Sequence, residues 1–232
     1  MKAKQSRLSP LLAQVVGFAA LVNLVLLPLS GANALERASP VKIVAFGDSL
    51  TAGYGLKPSE SFPAQLAMAL KDKGQAVEVL NAGVSGDTTG AGLERFEWAI
   101  PEGTEAVILE LGANDALRGI DPQMSREALD RILARLRARN IEVLIAGMLA
   151  PKNWGDTYEK DFNAIFGELS KKYDALLYPF FLDGIAMQPA LTLPDGLHPT
   201  GKGIAVIVER ILPQVEALVA RVDARRVAAA RP

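Results

Sequence analysis

The feature that most limits what this chain can fold into is a rhythm. From Val41 onward, short runs rich in Val, Ile and Leu alternate with segments whose apolar residues recur every three or four positions. Such runs read as strands buried on both faces, and their alternation with helices is the pattern of a parallel sheet covered by helices. The runs are Val41 to Phe46, Ala76 to Leu80, Ala106 to Leu111, Ile141 to Met148 and Ala175 to Tyr178. Between them, Phe62, Leu66, Ala69 and Leu70 share one helix face and Leu129, Ile132, Leu133 and Leu136 share another. Asp156 to Lys172 is a third amphipathic segment, with Phe162, Ile165, Phe166 and Leu169 on its apolar side. A final helix is expected after Thr200, a suitable N-cap, with Pro213 bending or breaking it. Past Arg221 the composition collapses to Ala and Arg without apolar period, which predicts a disordered tail over residues 222–232.

In open parallel sheets the functional groups gather at the carboxyl ends of the strands. Here those ends carry Gly47-Asp48-Ser49-Leu50, Asn81-Ala82-Gly83 and Gly112-Ala113-Asn114-Asp115, while Asp195-Gly196-Leu197-His198-Pro199 precedes the last helix. A serine hydroxyl becomes a nucleophile only when a base takes its proton. The chain has one histidine, and a lone histidine is by default structural; Asp195, three residues before it, is what changes that reading. At that spacing the carboxylate can accept from the imidazole Nδ1–H and fix the tautomer. Pro199 disfavours helical backbone at His198 and so holds the ring on a turn. Expected donors for a developing oxyanion are the backbone N–H of Ser49, the backbone N–H of Gly83 and the side-chain amide of Asn114. Asp48, Asp87 and Asp115 are weaker candidates for the acid and read as local hydrogen-bonding partners of loop backbone.

Composition closes off other chemistries. The absence of cysteine removes disulfides, thiolate metal sites and a thiol nucleophile. A single histidine leaves no zinc ligand set, so neither a metal nor another cofactor is expected. A net charge of -1 gives no basic field for nucleic acid. Residues Gly196 to Lys202 spell G-x-x-x-x-G-K, but Gly203 follows where a phosphate-binding loop needs Ser or Thr, and no βαβ unit precedes it.

At the N-terminus, Lys2, Lys4 and Arg7 precede an apolar stretch from Leu11 to Leu29, and Ala32-Asn33-Ala34 forms an A-x-A site. Residues 1–34 therefore read as a secretory signal peptide cleaved after Ala34, which predicts a periplasmic or secreted protein with no membrane span after cleavage. The alternative is an uncleaved anchor, against which Gln14, Gly17, Asn23 and Pro28 weigh.

The four strand-end segments, taken in order, resemble the blocks of SGNH (GDSL-type) hydrolases: Ser49 in GDSL, Gly83 in NAG, Asn114 in GAND and His198 in DGLHP. Gly53-Tyr54 and the segment from Ala150 to Gly155 extend the likeness, which is greatest toward the bacterial periplasmic thioesterase I, lysophospholipase and arylesterase branch. Ala116 departs from that branch, which often has Gly there. The resemblance implies one α/β domain over residues 35–221, a three-layer sandwich whose five-stranded parallel sheet has flavodoxin-like order. It also implies an acyl-enzyme route: His198 deprotonates Ser49, Asp195 orients His198, and water releases the acyl group. The small-molecule partner would be an acyl ester or thioester, bound by the loop after the fourth strand, where Met148, Leu149, Pro151, Trp154 and Tyr158 offer apolar surface. Two alternatives share these residues, a carbohydrate O-acetyl esterase and a non-catalytic binding module.

Overall fold

The structure, a computed structural model, describes residues 39–231; the expected signal peptide lies outside them. The chain runs β1 (Val41–Gly47), α1 (Ser49–Ala52), α2 (Phe62–Asp72), β2 (Val77–Gly83), α3 (Thr89–Glu94), α4 (Phe96–Ala99), β3 (Ala106–Glu110), α5 (Ala113–Arg118), α6 (Pro122–Ala138), β4 (Glu142–Ala146), α7 (Asp156–Tyr173), β5 (Leu176–Tyr178) and α8 (Gly201–Ala229). The five strands are parallel in the order β2-β1-β3-β4-β5, the flavodoxin-like order expected. α2 packs with α8, and α6 packs with both α3 and α7, so the sheet lies between two helical layers.

Burial explains the strand pattern. Every residue of β3 is buried, because this central strand has a neighbour on each edge and helices on both faces. β2 is the exception to the doubly buried reading: it is an edge strand that alternates half-buried and exposed residues, with Leu80 45 % exposed. It also runs three residues beyond the expected end at Leu80, since Asn81, Ala82 and Gly83 pair with Ala45, Phe46 and Gly47 of β1. The helix faces read from the sequence are the buried ones, including Phe62, Leu66, Ile132, Leu136, Phe162 and Ile165.

The C-terminal expectation is corrected. α8 begins as expected, with Thr200 Oγ1 accepting from Gly203 N–H, but Pro213 does not end it and residues 222–229 are helical rather than disordered. Pro213 lies on the exposed face, so the Glu209 carbonyl that lacks its helical donor can take water. Past Arg221, Val222 is fully buried and the two arginines reach back to the sheet. Arg225 donates to the carbonyl of Asn140, and Arg226 pairs with Glu105 through Nε at 2.7 Å. Arginine side chains on core-facing turns cover apolar surface while their heads bind carbonyls and carboxylates.

Candidate active site

β1 stops where its backbone meets β3. A Cβ on Gly47 would fall 2.1 Å from Thr51 Oγ1 and 2.5 Å from the Glu110 carbonyl, so only glycine fits. The chain then turns into the one-turn helix α1, capped by Asp48, whose Oδ1 accepts from Leu50 N–H at 3.0 Å. This places Ser49 at the first position of the turn, its own N–H without an acceptor among the described residues.

Beneath Ser49 lies a buried acid pair, Asp48 and Glu110, of which the sequence reading named only Asp48. Glu110, at the end of β3, is fully buried and accepts from Thr51 Oγ1 at 2.7 Å and Asp48 N–H at 3.3 Å, while its Oε1 has no partner. Burial, helped by the neighbouring Asp48 charge, holds the Glu110 carboxyl well above its usual range. Burial also pushes Asp48 up to about 6, against the pull of the Leu50 N–H and the Asn114 amide. A glutamate at the end of a predicted buried strand was the available signal.

His198 comes from the other side, on a turn closed by Leu193 N–H to His198 O at 2.7 Å and Thr200 N–H to Leu191 O at 2.9 Å. Asp195 folds back on the same turn. Its Oδ1 accepts from the N–H groups of His198 and Leu197 at 3.0 and 2.9 Å, and its Oδ2 lies 2.7 Å from His198 Nδ1. Those backbone donors, with the imidazole, bring Asp195 down to about 2. An ionised carboxylate can only accept, so Nδ1 carries the proton and Nε2 presents its lone pair to Ser49 Oγ, 2.9 Å away. The Tyr54 ring lies on the imidazole, centroids 4.4 Å apart.

Asn114, on the first turn of α5, bridges two loops: Nδ2 donates to Asp48 Oδ2 at 3.1 Å and to the Asp87 carbonyl at 2.9 Å. Gly83 is a correction. Its N–H already donates to Asn81 Oδ1 at 3.0 Å, and a Cβ there would fall 2.3 Å from Ala52 N, so the glycine is required by the packing of α1 on β2. The N–H groups of Ser85, Gly86 and Thr88 have no acceptor among the described residues, and of these the donor assigned is Gly86, at φ 89° and without a side chain to block approach, whose carbonyl takes a bond from Arg118 at 2.9 Å. Ending β2 at Leu80 made Gly83 look like a loop residue; Gly86 was the second glycine of the same segment.

The expected apolar contacts divide. Met148 is buried in the core, and Tyr158 is half-buried with its hydroxyl donating to the Ile120 carbonyl at 2.9 Å. Trp154 is 45 % exposed, its indole N–H donating to Ala116 O at 2.8 Å and its ring lying over Gly119. Pro151 is half-buried and caps a 3₁₀ turn, while Leu149 beside it is exposed.

Residues 45–206 match the model of the GDSL-like lipase/acylhydrolase family. The chain is 35 % identical over 184 residues to an arylesterase of Vibrio mimicus, covering 79 % of this chain and 92 % of that one. It is 36 % identical over 179 residues to thioesterase 1/protease 1/lysophospholipase L1 of Escherichia coli strain K12, covering 76 % and 84 %. Among solved structures it is similar to AlinE4, an SGNH-hydrolase family esterase, with 45 % identity, a TM-score of 0.66, and 77 % and 96 % of the two chains covered.

Proposed function

The chain belongs to the GDSL-like lipase/acylhydrolase family and is a carboxylic ester hydrolase, and from that premise we propose that it works through a Ser49–His198–Asp195 triad on acyl esters and thioesters. The observation that supports this reading is the hydrogen-bonded relay, with Ser49 Oγ 2.9 Å from Nε2 and Asp195 2.7 Å from Nδ1. In the first half-reaction Nε2 takes the Ser49 proton, Oγ bonds to the acyl carbon, and the carbonyl oxygen becomes an oxyanion. The donors assigned to it are the N–H groups of Ser49 and Gly86 and one amide hydrogen of Asn114, freed from Asp48 Oδ2 when substrate binds while the other stays on Asp87 O. Collapse expels the alkoxide or thiolate, which takes the proton from His198. Water then attacks the acyl-enzyme, giving its proton to His198, and the acid leaves as Ser49 is reprotonated.

Substrate breadth follows from the openness of the surface. Asp195 has a side chain 37 % exposed, and the exposed apolar residues Tyr54 and Leu197 lie beside His198. Trp154 extends apolar surface toward α5 and Leu149 is exposed on the same loop, and these, rather than Met148, are the side chains assigned to the acyl group. Among the described residues no helix is long and apolar enough to cross a membrane. Export with cleavage after Ala34 is proposed on the N-terminal sequence alone.

A chain-length series from acetyl to palmitoyl, run with p-nitrophenyl and thioester leaving groups, tests the substrate class. Each methylene should contribute at most ~0.8 kcal/mol, so kcat/KM rises over the first carbons and then levels off. Strict acetyl preference with high activity on acetylated sugars would replace the acyl esterase by a carbohydrate deacetylase.

A further inference from the structure

Arg95 takes no part in the chemistry above, yet it is 6 % exposed and sits directly below the segments that carry it. Its fork reaches three of them. Nη2 donates to Gly47 O at 2.8 Å, two residues before Ser49, and Nη1 donates to Ala82 O at 2.9 Å, at the base of the loop that carries Gly86. Nε donates to the carboxylate of Asp87, whose backbone carbonyl holds Asn114. The plane of the guanidinium is set by Phe46, with Cζ 4.5 Å from the ring centroid, and by Trp98 at 5.6 Å.

We propose that Arg95 is a positioning residue that registers the oxyanion donors of Ser49, Gly86 and Asn114 against one another. The proposal rests on the triad reading above. Residues 84–88 are tied to α3 through Thr88 and to α5 through Arg118 and Asn114, and to the end of β1 only by Val84 N–H to Gly47 O at 3.1 Å and by Arg95. Gly47 O therefore accepts from both Val84 and Arg95, so the end of β1 and the Gly86 loop share one anchor. A buried ion pair is seldom a net source of stability compared with an apolar side chain of the same volume. What the planar fork supplies, and Lys cannot, is three fixed donor directions at once. Donor directions matter here because an oxyanion hole works only when its geometry precedes the charge.

The test compares Arg95→Lys, Asp87→Asn, Ser49→Ala and a distant control, Arg226→Lys, which loosens the Glu105 pair at the amino end of the central strand. Asp87→Asn weakens the link to Arg95 while keeping the carbonyl that Asn114 uses, and it carries the test should Arg95→Lys fail to fold. The readouts are kcat and KM on p-nitrophenyl butyrate, Tm, and the Ki of butylboronic acid, which forms a tetrahedral adduct with a nucleophilic serine. Arg95→Lys should lower kcat roughly 10- to 100-fold, the scale of a small misplacement, with KM little changed and boronate Ki rising in proportion. Asp87→Asn should move the same way by less, and Arg226→Lys should lower Tm alone. Loss of Tm in Arg95→Lys and Asp87→Asn with kcat and Ki unmoved overturns the proposal, as does a fall in kcat without a change in Ki. Turnover by Ser49→Ala would instead remove the triad reading; an inactive Ser49→Ala beside a wild-type Arg95→Lys removes only the role given to Arg95.

Discussion

Ser49 and His198 face each other across 2.9 Å, but the segments behind them are held in different ways. Behind Ser49 the partners are remote in sequence and buried: Glu110 bonds to Thr51 and Asp48 across about sixty positions, and Arg95 reaches Gly47 O across 48. Asp115, 1 % exposed, ties this side together by accepting from Thr89 N–H at 2.9 Å, Thr89 Oγ1 at 2.6 Å and Ser125 Oγ at 2.8 Å. Behind His198 the hydrogen bonds of the turn reach at most nine residues and are wet: Asp195 holds its own turn from two and three positions away, next to Leu197, which is 48 % exposed. The nucleophile thus sits at the rigid carboxyl end of an interior strand, and the base approaches on a turn that carries its own orienting group. Changes to the two sides should separate stability from rate.

The largest separation is expected between Asp195→Asn and Asp115→Ala. Asp195→Asn should lower kcat by roughly 10²- to 10⁴-fold, because the imidazole loses the partner that fixes its tautomer. Its Tm should stay within about 2 °C, since the residue is on the surface. Asp115→Ala strands three donors in the interior and should lower Tm by roughly 5–10 °C, with a smaller effect on rate. A matched loss of Tm in both variants, by thermal melts beside steady-state kinetics, would erase the contrast.

Next in size is Asn114→Ala, for which kcat should fall roughly 10²- to 10³-fold as one oxyanion donor goes. An effect confined to KM would make Asn114 a binding residue and the nucleophile side a scaffold only.

The smallest effect concerns pH. Asp48 titrates at about 6 in the folded protein against an ordinary value of 3.8, so the folded state holds this proton more tightly than the unfolded chain. The stability that Asp48 contributes is complete below 3.8 and is lost as pH rises through about 6. Asp48→Asn lacks this loss, and its Tm relative to wild type should improve between pH 4 and 7. For Asp195, lowered to about 2, the stability is present above 3.8 and is lost only as pH falls through about 2, so Asp195→Asn should show no trend in that window. Equal slopes for the two variants would contradict the buried setting of Asp48.

The same contrast explains what the sequence disclosed. Asp195 and His198 are legible because their contact is local, and three positions of spacing suffice to draw it. The strands and the helix faces were legible because burial imposes period on many residues at once, whereas the strand order came from the family resemblance. Gly86 was missed because the end of an edge strand is set by pairing with β1 rather than by its own composition. Arg95 and Glu110 were missed because their meaning depends on partners brought together only by the fold. The tail past Arg221 read as disordered since only Val222 and arginine stems bury there, a signal too short for periodicity to show.

The central claim is that Ser49 Oγ attacks with His198 as its base. Brief exposure of the protein to a p-nitrophenyl alkylphosphonate, followed by peptide mass spectrometry, tests it directly. The expected result is one phosphonyl group on Ser49, stoichiometric with loss of esterase activity, and labelling slowed by orders of magnitude in His198→Asn. Loss of activity with the label on another residue, or undiminished labelling of Ser49 in His198→Asn, would contradict it.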